Sequence, residues 1–317
     1  MNVERRRIGA VVLTYNSSDE LADCLACLTA QRDVDLRVIV VDNASTSTNR
    51  AAMEKIFLQK LPDGIISDAT DACADLLDTA SALFLRNLHN SGYSAGNNIG
   101  ARLAVSSGCE AVLILNPDVR IEDPYYLAAL VELINADAET AVACSAVTNL
   151  SGANENPMVE PSFVEELLWP VTMVFGRFLP KHKKVIILPS TPFMVEKVTG
   201  ACFLIRADFL RRIGFFDESV FLYCEESILS AQVRAAGWHM MMDPGRHALH
   251  AHRTCTKGNQ LTRFRNWARS RGQFHAAHSG YGTIRQTLLA GSRVLILALI
   301  WLKTVLLKHG RTIARQS

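Results

Sequence analysis

Four acidic residues stand where polar groups close apolar runs. Asp42 follows Leu36–Val41, Asp118 follows Ala111–Leu115, and the pair Glu225–Glu226 opens a later helical stretch. Any one of them alone reads as a turn or capping residue. Three separate carboxylate stations allow a division of labour. One can hold a divalent cation through hard oxygen ligands while another, off the metal, removes a proton from an attacking hydroxyl. A metal-bound diphosphate leaving group would complete such a scheme. Further along, His247, His250 and His252 form HALHAH, and the i, i+2 pair 250 and 252 shares a face if this stretch is a strand.

The elements that must position these groups are legible as alternating apolar runs. Ile8–Tyr15 is short, β-branched and almost wholly apolar, as a central strand covered on both faces requires. Leu21, Leu25 and Leu28 then recur at helical spacing to about Gln31, and Leu36–Val41 is the next buried strand. Such a β-α-β unit sets its ligand at the carboxyl ends of its strands, so Thr14–Asn16 and Asp42 are expected on one rim. Residues 51–82 read as mainly helical scaffold, broken at Pro62-Asp63-Gly64. Asn87–Gly100 reads as a glycine- and asparagine-rich ligand-facing loop ahead of an Ala-rich helix. Thr199–Ile205 returns to a strand pattern, Phe209–Ile213 to a short helix, and Glu225 onward to helical spacing.

Composition narrows the function classes. The chain has 317 residues, 49% of them hydrophobic, enough for a substantial core. With 33 Lys and Arg against 31 Asp and Glu, it is not built as a whole around nucleic-acid phosphates. Eight scattered cysteines read as reduced cytosolic thiols, and the lone C-x-x-C at Cys24 and Cys27 lies inside a helical pattern. Strand one runs into Thr14-Tyr15-Asn16-Ser17-Ser18 and not G-x-G-x-x-G, which disfavours a dehydrogenase. The P-loop pattern is absent too. A nucleotidyltransferase would show a Gly-rich loop with Arg and Lys after strand one, and this chain does not.

Seven ordered motifs carry a more specific signal: VVLTYN (Val11–Asn16), VVDNAS (Val40–Ser45), NSGYSAGNN (Asn90–Asn98), LNPD (Leu115–Asp118), TGACFLI (Thr199–Ile205), GFFDE (Gly214–Glu218) and FLYCEE (Phe221–Glu226). From about Ile8 to Asn266 the chain resembles a family 2 glycosyltransferase of the rhamnosyltransferase-like branch. The resemblance implies an α/β fold of the GT-A type: a Rossmann-like nucleotide-sugar-binding domain with a mixed central sheet and a C-terminal helical extension. It implies that Thr14, Tyr15 and Asn16 line the nucleotide pocket and that Asp42 accepts from a uracil or thymine imide. Asn97 and Asn98 would stand near the donor's diphosphate and sugar. Asn116-Pro117-Asp118 occupies the place of the family's D-x-D motif, with Asp118 as ligand to Mn²⁺ or Mg²⁺ and His250 as a metal- or diphosphate-contacting histidine. Glu226 matches the catalytic base, with Glu225 as a backup, and Arg265 resembles a phosphate-pairing arginine. Glu at 226 and Ile228 depart from the family's usual acidic pattern, which also admits a non-catalytic nucleotide-sugar-binding subunit.

The implied activity is metal-dependent, inverting transfer of a sugar. L-rhamnose from dTDP-L-rhamnose is expected first and a UDP-sugar as the alternative. The acceptor would be a surface polysaccharide or lipid-linked glycan. Residues 1–270 would form the GT-A domain, with a nucleotide half to about 120 and an acceptor half from 121. Residues 271–317 would form the helical extension. Phe163–Leu179 is apolar and runs into Lys181, His182, Lys183 and Lys184, and Val294–Leu307 is apolar except for Lys303 and Thr304. Fourteen residues are short for a spanning helix, for which about 20 are usual. The expectation is therefore an interfacial helix on the inner face of the plasma membrane, with packing against protein or an oligomer partner left open.

Overall fold

A computed structural model describes residues 5–176, 188–252 and 260–313, with side chains through 305. The basic run Lys181, His182, Lys183, Lys184 lies outside the described residues. In chain order the elements are β1 (Arg7–Thr14), α1 (Ser18–Thr29), β2 (Asp35–Asn43), α2 (Ser47–Lys60), β3 (Ile65–Asp68), α3 (Leu76–Thr79), β4 (Ala82–Asn87), α4 (Tyr93–Ser106), β5 (Ala111–Leu115), β6 (Val119–Arg120) and α5 (Tyr126–Asn135). There follow β7 (Thr140–Asn149), α6 (Phe163–Leu167), α7 (Trp169–Phe175), β8 (Phe193–Val195), β9 (Cys202–Arg206), α8 (Ala207–Ile213), α9 (Glu225–Ala235), β10 (His239–His250), α10 (Gln260–Ala277) and α11 (Thr283–Ile313).

Chain contacts divide these into two compact units. The first comprises Met1–Val159, Leu188–Phe221 and Glu225–Thr254, and the second Glu160–Ile187, Leu222–Cys224 and Cys255–Ser317. The division is not a single cut along the chain.

The first unit is built on a ten-stranded mixed sheet in the order β3-β4-β2-β1-β5-β9-β7-β10-β6, with β8 paired to β10. β3, β4, β2, β1 and β5 are mutually parallel. β9 runs antiparallel to β5 and β7, and β10 returns parallel to β7. The strand period of two sends alternate residues of the central strands into two cores. Ala10, Val12, Val40 and Leu113 join Leu21, Leu25 and Leu28 of α1, Phe57 of α2 and Tyr126 of α5 on one face. Val11, Ile39, Val41 and Ile114 join Ala101 and Ala104 of α4, Phe209 of α8 and Leu229 of α9 on the other. Each fully buried Val, Leu, Ile or Phe among them contributes about 1.5–3 kcal/mol.

Two stretches differ from the sequence-based expectation. Within 51–82 the helix α2 ends at Lys60, and Ile65–Asp68 is a short edge strand before the brief helix α3. Its four residues are too few to show a period. The loop expected over Asn87–Gly100 is cut short by α4, which begins at Tyr93. Glycines at 96 and 100 are not loop residues here but the helix face laid flat on the sheet. A Cβ at Gly96 would come within 2.5 Å of Leu13, and one at Gly100 within 2.7 Å of Val11.

The second unit is helical. The capping box of Ser162 and Glu165 starts α6, and Trp169 of α7 meets Trp267 of α10 edge-on at 4.7 Å between ring centroids. Its interior also holds charge. The Arg271 guanidinium pairs with Glu160 and Glu166, His275 Nε2 lies 3.2 Å from Glu166, and Arg293 Nη1 lies 2.7 Å from His275 Nδ1. Against burial, which disfavours the charged form, Arg271 and His275 hold the Glu166 carboxyl down at about 2. α11 is one continuous 31-residue helix, longer than the 14-residue apolar run suggested. Its stretch Thr283–Val305 is long and apolar enough, by length and composition, to cross a membrane.

Candidate functional site

The carboxyl ends of β1 and β2 lie side by side, with Thr14 in register with Asp42. Thr14 is buried and donates through Oγ1 to Val41 O at 3.1 Å. Asn16, in the left-handed region at φ +55°, joins the two rim loops: its N–H donates to Ser45 Oγ (2.8 Å), and its Oδ1 accepts from Thr46 N (3.0 Å). Tyr15 between them is 56% exposed at the loop tip. Asp42 is fully buried, its Oδ1 accepting from Ser45 N at 3.1 Å and its Oδ2 2.5 Å from Arg50 Nε. Its carboxylate therefore braces the rim loop.

The two asparagines of α4 have different surroundings. Asn97 donates to Tyr93 O at 3.1 Å, and its buried Oδ1 meets no donor among the described residues. Asn98, expected beside the donor, has both ends of its amide engaged by the GFFDE turn. Its Oδ1 accepts from Phe216 N (3.0 Å), and its Nδ2 donates to Phe216 O (2.9 Å) and to Glu218 Oε1 (2.7 Å).

β5 ends at Asn116-Pro117-Asp118, and Asn116 N donates to Ala201 O at 2.8 Å. The antiparallel pairing of β6 with β10 sets Val119 opposite His250 and draws Ala251 N onto Asp118 O at 2.8 Å. That register delivers both histidines to one carboxylate. His250 Nε2 lies 3.2 Å from Asp118 Oδ1, and His252 Nδ1 lies 3.1 Å from Asp118 Oδ2. One donor atom from each of Asp118, His250 and His252 falls within 4.8 Å of the others. His250 Nδ1 in turn lies 2.6 Å from Glu155 Oε2. Burial would lower the His250 pKa, but Asp118 and Glu155 outweigh it and raise it to about 9. Burial likewise opposes the Asp118 charge, and the two histidines bring its pKa below the usual value. Asp118 Oδ1 is buried, and although His250 lies nearby it receives no aligned hydrogen bond among the described residues. A buried carboxylate flanked by two imidazole nitrogens suits a divalent cation of the Mn²⁺ or Mg²⁺ kind, whose binding would displace the ligating proton of each ring. Sequence reasoning named His250 and set His252 aside, although their alternation was the available signal. His247 instead bonds Thr148 Oγ1 at 2.7 Å.

Glu226 sits in the first turn of α9 with Glu225, and both are half-buried. Its Oε1 is 3.4 Å from Gly200 N, one residue from the Ala201 carbonyl that holds Asn116. Tyr93 donates to Gly200 O at 2.5 Å. Burial, with Glu226 and Glu225 nearby, pushes its phenol well above the ordinary value, so it stays a donor. Immediately before α9, Tyr223 and Cys224 stand in the left-handed region at φ +73° and +71°. Such strain costs on the order of 1 kcal/mol or more per residue and collects at functional sites.

Other candidates fall elsewhere. Arg265 is exposed on α10, in the second unit. Cys24 is buried in the core, where burial pushes its thiol pKa up, which leaves the C-x-x-C without the exposed thiolate of a redox pair. A cavity of about 280 Å³ beside Arg6, Glu110 and Arg206 opens at the opposite, amino-terminal ends of β1 and β5.

A mixed sheet whose parallel half ends on polar rims, followed by a His–Asp cluster that could hold a cation and by a helix-opening carboxylate, has the GT-A architecture. Solved structures agree at the level of the fold. The mannosyltransferase PcManGT from Pyrobaculum calidifontis, in complex with GDP-Man and Mn²⁺, superposes with a TM-score of 0.54 at 16% identity, covering 98% of this chain and 81% of that one. GalNAc-T7 with UDP, GalNAc and Mn²⁺ gives 0.57 at 15%, covering 92% and 54%. The glycosyl transferase family 2 model matches residues 10–67, the stretch that holds β1, β2 and their rim. The chain is 28% identical over 148 residues to the low-salt glycan biosynthesis hexosyltransferase Agl10 of Haloferax volcanii, a match over 43% of this chain and 41% of that protein. It is 26% identical over 262 residues to N-acetylglucosaminyl-diphospho-decaprenol L-rhamnosyltransferase of Mycobacterium tuberculosis, 77% and 76% of the two chains. The chain spans about two fifths of the length of the first of these relatives. Family model, relatives and fold together support a glycosyltransferase of family 2.

Proposed function

We propose that this protein is a metal-dependent, inverting glycosyltransferase that moves a sugar from a nucleotide-sugar donor to a surface-polysaccharide or lipid-linked glycan acceptor. L-rhamnose from dTDP-L-rhamnose is the donor we favour. The observation that carries the reading is the convergence of Asp118, His250 and His252 at the sheet's carboxyl rim, one ligand atom from each within 4.8 Å of the others. A relative that transfers L-rhamnose aligns over 77% of this chain, which favours that donor over a UDP-sugar.

Asp118, His250 and His252 would hold the cation, which supplies positive charge against the departing diphosphate. Thr14, Tyr15, Asn16 and Asp42 form the rim on which the nucleotide would lie, with Asn97 and Asn116 toward the diphosphate and sugar. Glu226 would take the proton of the acceptor hydroxyl as its oxygen attacks the anomeric carbon, and a single displacement inverts that centre. Glu225 remains the reserve base. The exposed apolar residues of α11 (Leu288, Leu295, Trp301, Leu302) and of α7 (Val171, Phe175) fit an interfacial contact. Residues 283–317 carry six Lys or Arg and no Asp or Glu, which favours the anionic inner face of the plasma membrane.

The test is thermal unfolding of the full chain with TDP, UDP or GDP, each with and without Mn²⁺. A ligand at 100 times its Kd adds about 2.7 kcal/mol. Stabilisation by TDP that requires Mn²⁺ supports the reading, a UDP preference moves the donor to a UDP-sugar, and stabilisation by none overturns it.

A further inference from the structure

We propose that Glu155 is a positioning residue of the metal site: it takes the Nδ1 hydrogen of His250 and so aims the Nε2 lone pair of that ring at the cation beside Asp118. This rests on the cation site proposed above. A neutral imidazole carries its hydrogen on one nitrogen and its lone pair on the other, so whichever acceptor captures Nδ1–H decides what Nε2 can ligate. Glu155 Oε2 lies 2.6 Å from His250 Nδ1, on the side of the ring away from Nε2, which is 3.2 Å from Asp118 Oδ1. The Glu155 carboxylate, the imidazole and the Asp118 carboxylate thus stand in series.

The support behind Glu155 is built in. Its N–H donates to Val147 O at 2.7 Å, and Asn149 Nδ2 reaches its Oε1 at 3.4 Å. Asn149 is the β7 residue in register with His250. The next residue, Asn156, is fully buried, donating to Ser145 O (3.1 Å) and accepting from Thr199 N (2.7 Å). The turn-rich stretch after β7 is therefore pinned on both sides, and Glu155 has a fixed seat. His252 lies past the end of β10 and is half-exposed, so His250 is the ligand whose orientation the fold enforces.

The experiment is Mn²⁺ titration of the full chain by calorimetry in the absence of donor, on wild type, E155M, E155Q and D118A. Met keeps the side-chain length and removes the acceptor, whereas Gln keeps an oxygen that can accept Nδ1–H. E155M should raise the Mn²⁺ Kd by about 10- to 100-fold, and E155Q should recover most of that loss. Wild-type affinity in E155M beside lost affinity in D118A overturns the role of Glu155 and leaves the cation site standing. D118A binding Mn²⁺ as wild type does overturns both. If E155M does not fold, long-range ¹⁵N spectra of the wild type with Mg²⁺ decide: hydrogen on His250 Nδ1 is the expected tautomer, and hydrogen on Nε2 overturns the proposal.

Discussion

Glu226 and Gly200 form a close contact: Glu226 Oε1 lies 3.4 Å from Gly200 N, and a Cβ on Gly200 would stand 3.2 Å from that oxygen and 3.1 Å from the Tyr93 hydroxyl. G200A should shift the carboxylate from its seat. We expect kcat to fall by up to about tenfold, because the overlap asks the carboxylate to move by a few tenths of an ångström, less than the full ångström that costs about 100-fold. Mn²⁺ affinity, measured on the same protein, should not change.

Glu226 and Glu225 separate by substitution. E226Q should lower transfer by about 10²- to 10⁴-fold, the usual contribution of a general base, with nucleotide binding kept. E225Q should stay within about threefold of wild type, well short of a general-base loss. Initial rates on a lipid-linked acceptor, beside nucleotide-induced thermal shifts, give both numbers, and unchanged transfer in E226Q removes the base assignment.

D118A should abolish the Mn²⁺-dependent part of nucleotide stabilisation. Thermal unfolding with TDP, with and without Mn²⁺, should show the two curves of the variant coinciding. A retained gap would place the cation elsewhere.

Glu166 predicts a pH dependence of stability in the second unit. Its carboxyl is held at about 2 in the folded chain against 4.5 ordinarily, so the unfolded form binds the proton more readily. The stabilisation is present above about pH 4.5 and is lost as pH falls toward 2, with a size of about 3 kcal/mol. In E166Q the extra slope in that window should vanish, as unfolding midpoints between pH 5 and 2.5 would show. An identical slope in the two proteins would refute the pairing.

The exposed apolar face of α11 makes a prediction about binding. The triple variant L288E/L295E/L302E changes three residues that are 47% exposed or more and leaves buried Leu289, Ile296 and Ile300 in place. Co-sedimentation with anionic vesicles should fall by at least about tenfold. Equal sedimentation with wild type would mean that this face is covered by protein.

The sheet and its rim were legible before any coordinates. Ile8–Tyr15, Leu36–Val41 and Ala111–Leu115 are apolar and β-branched because both of their faces are covered, and that need writes itself into local composition. Asp42 and Asp118 were legible as polar residues closing such runs and Glu226 as a helix-opening acid, although each alone reads as a turn or cap and only the ordered motifs set them together. Ile65–Asp68 was not, since a four-residue edge strand carries too little pattern. The start of α4 was misread because Gly96 and Gly100 look like loop residues until the sheet they rest on is known. Sequence alone thus determined which groups are available and at which strand ends they sit. Only the tertiary structure decided their partners: that His252 shares Asp118 with His250, that Glu155 stands behind the ring, and that Asn98 serves a turn. Those pairings bridge 134, 95 and 118 residues of chain, and no local spacing encodes a contact that strand register between distant segments creates.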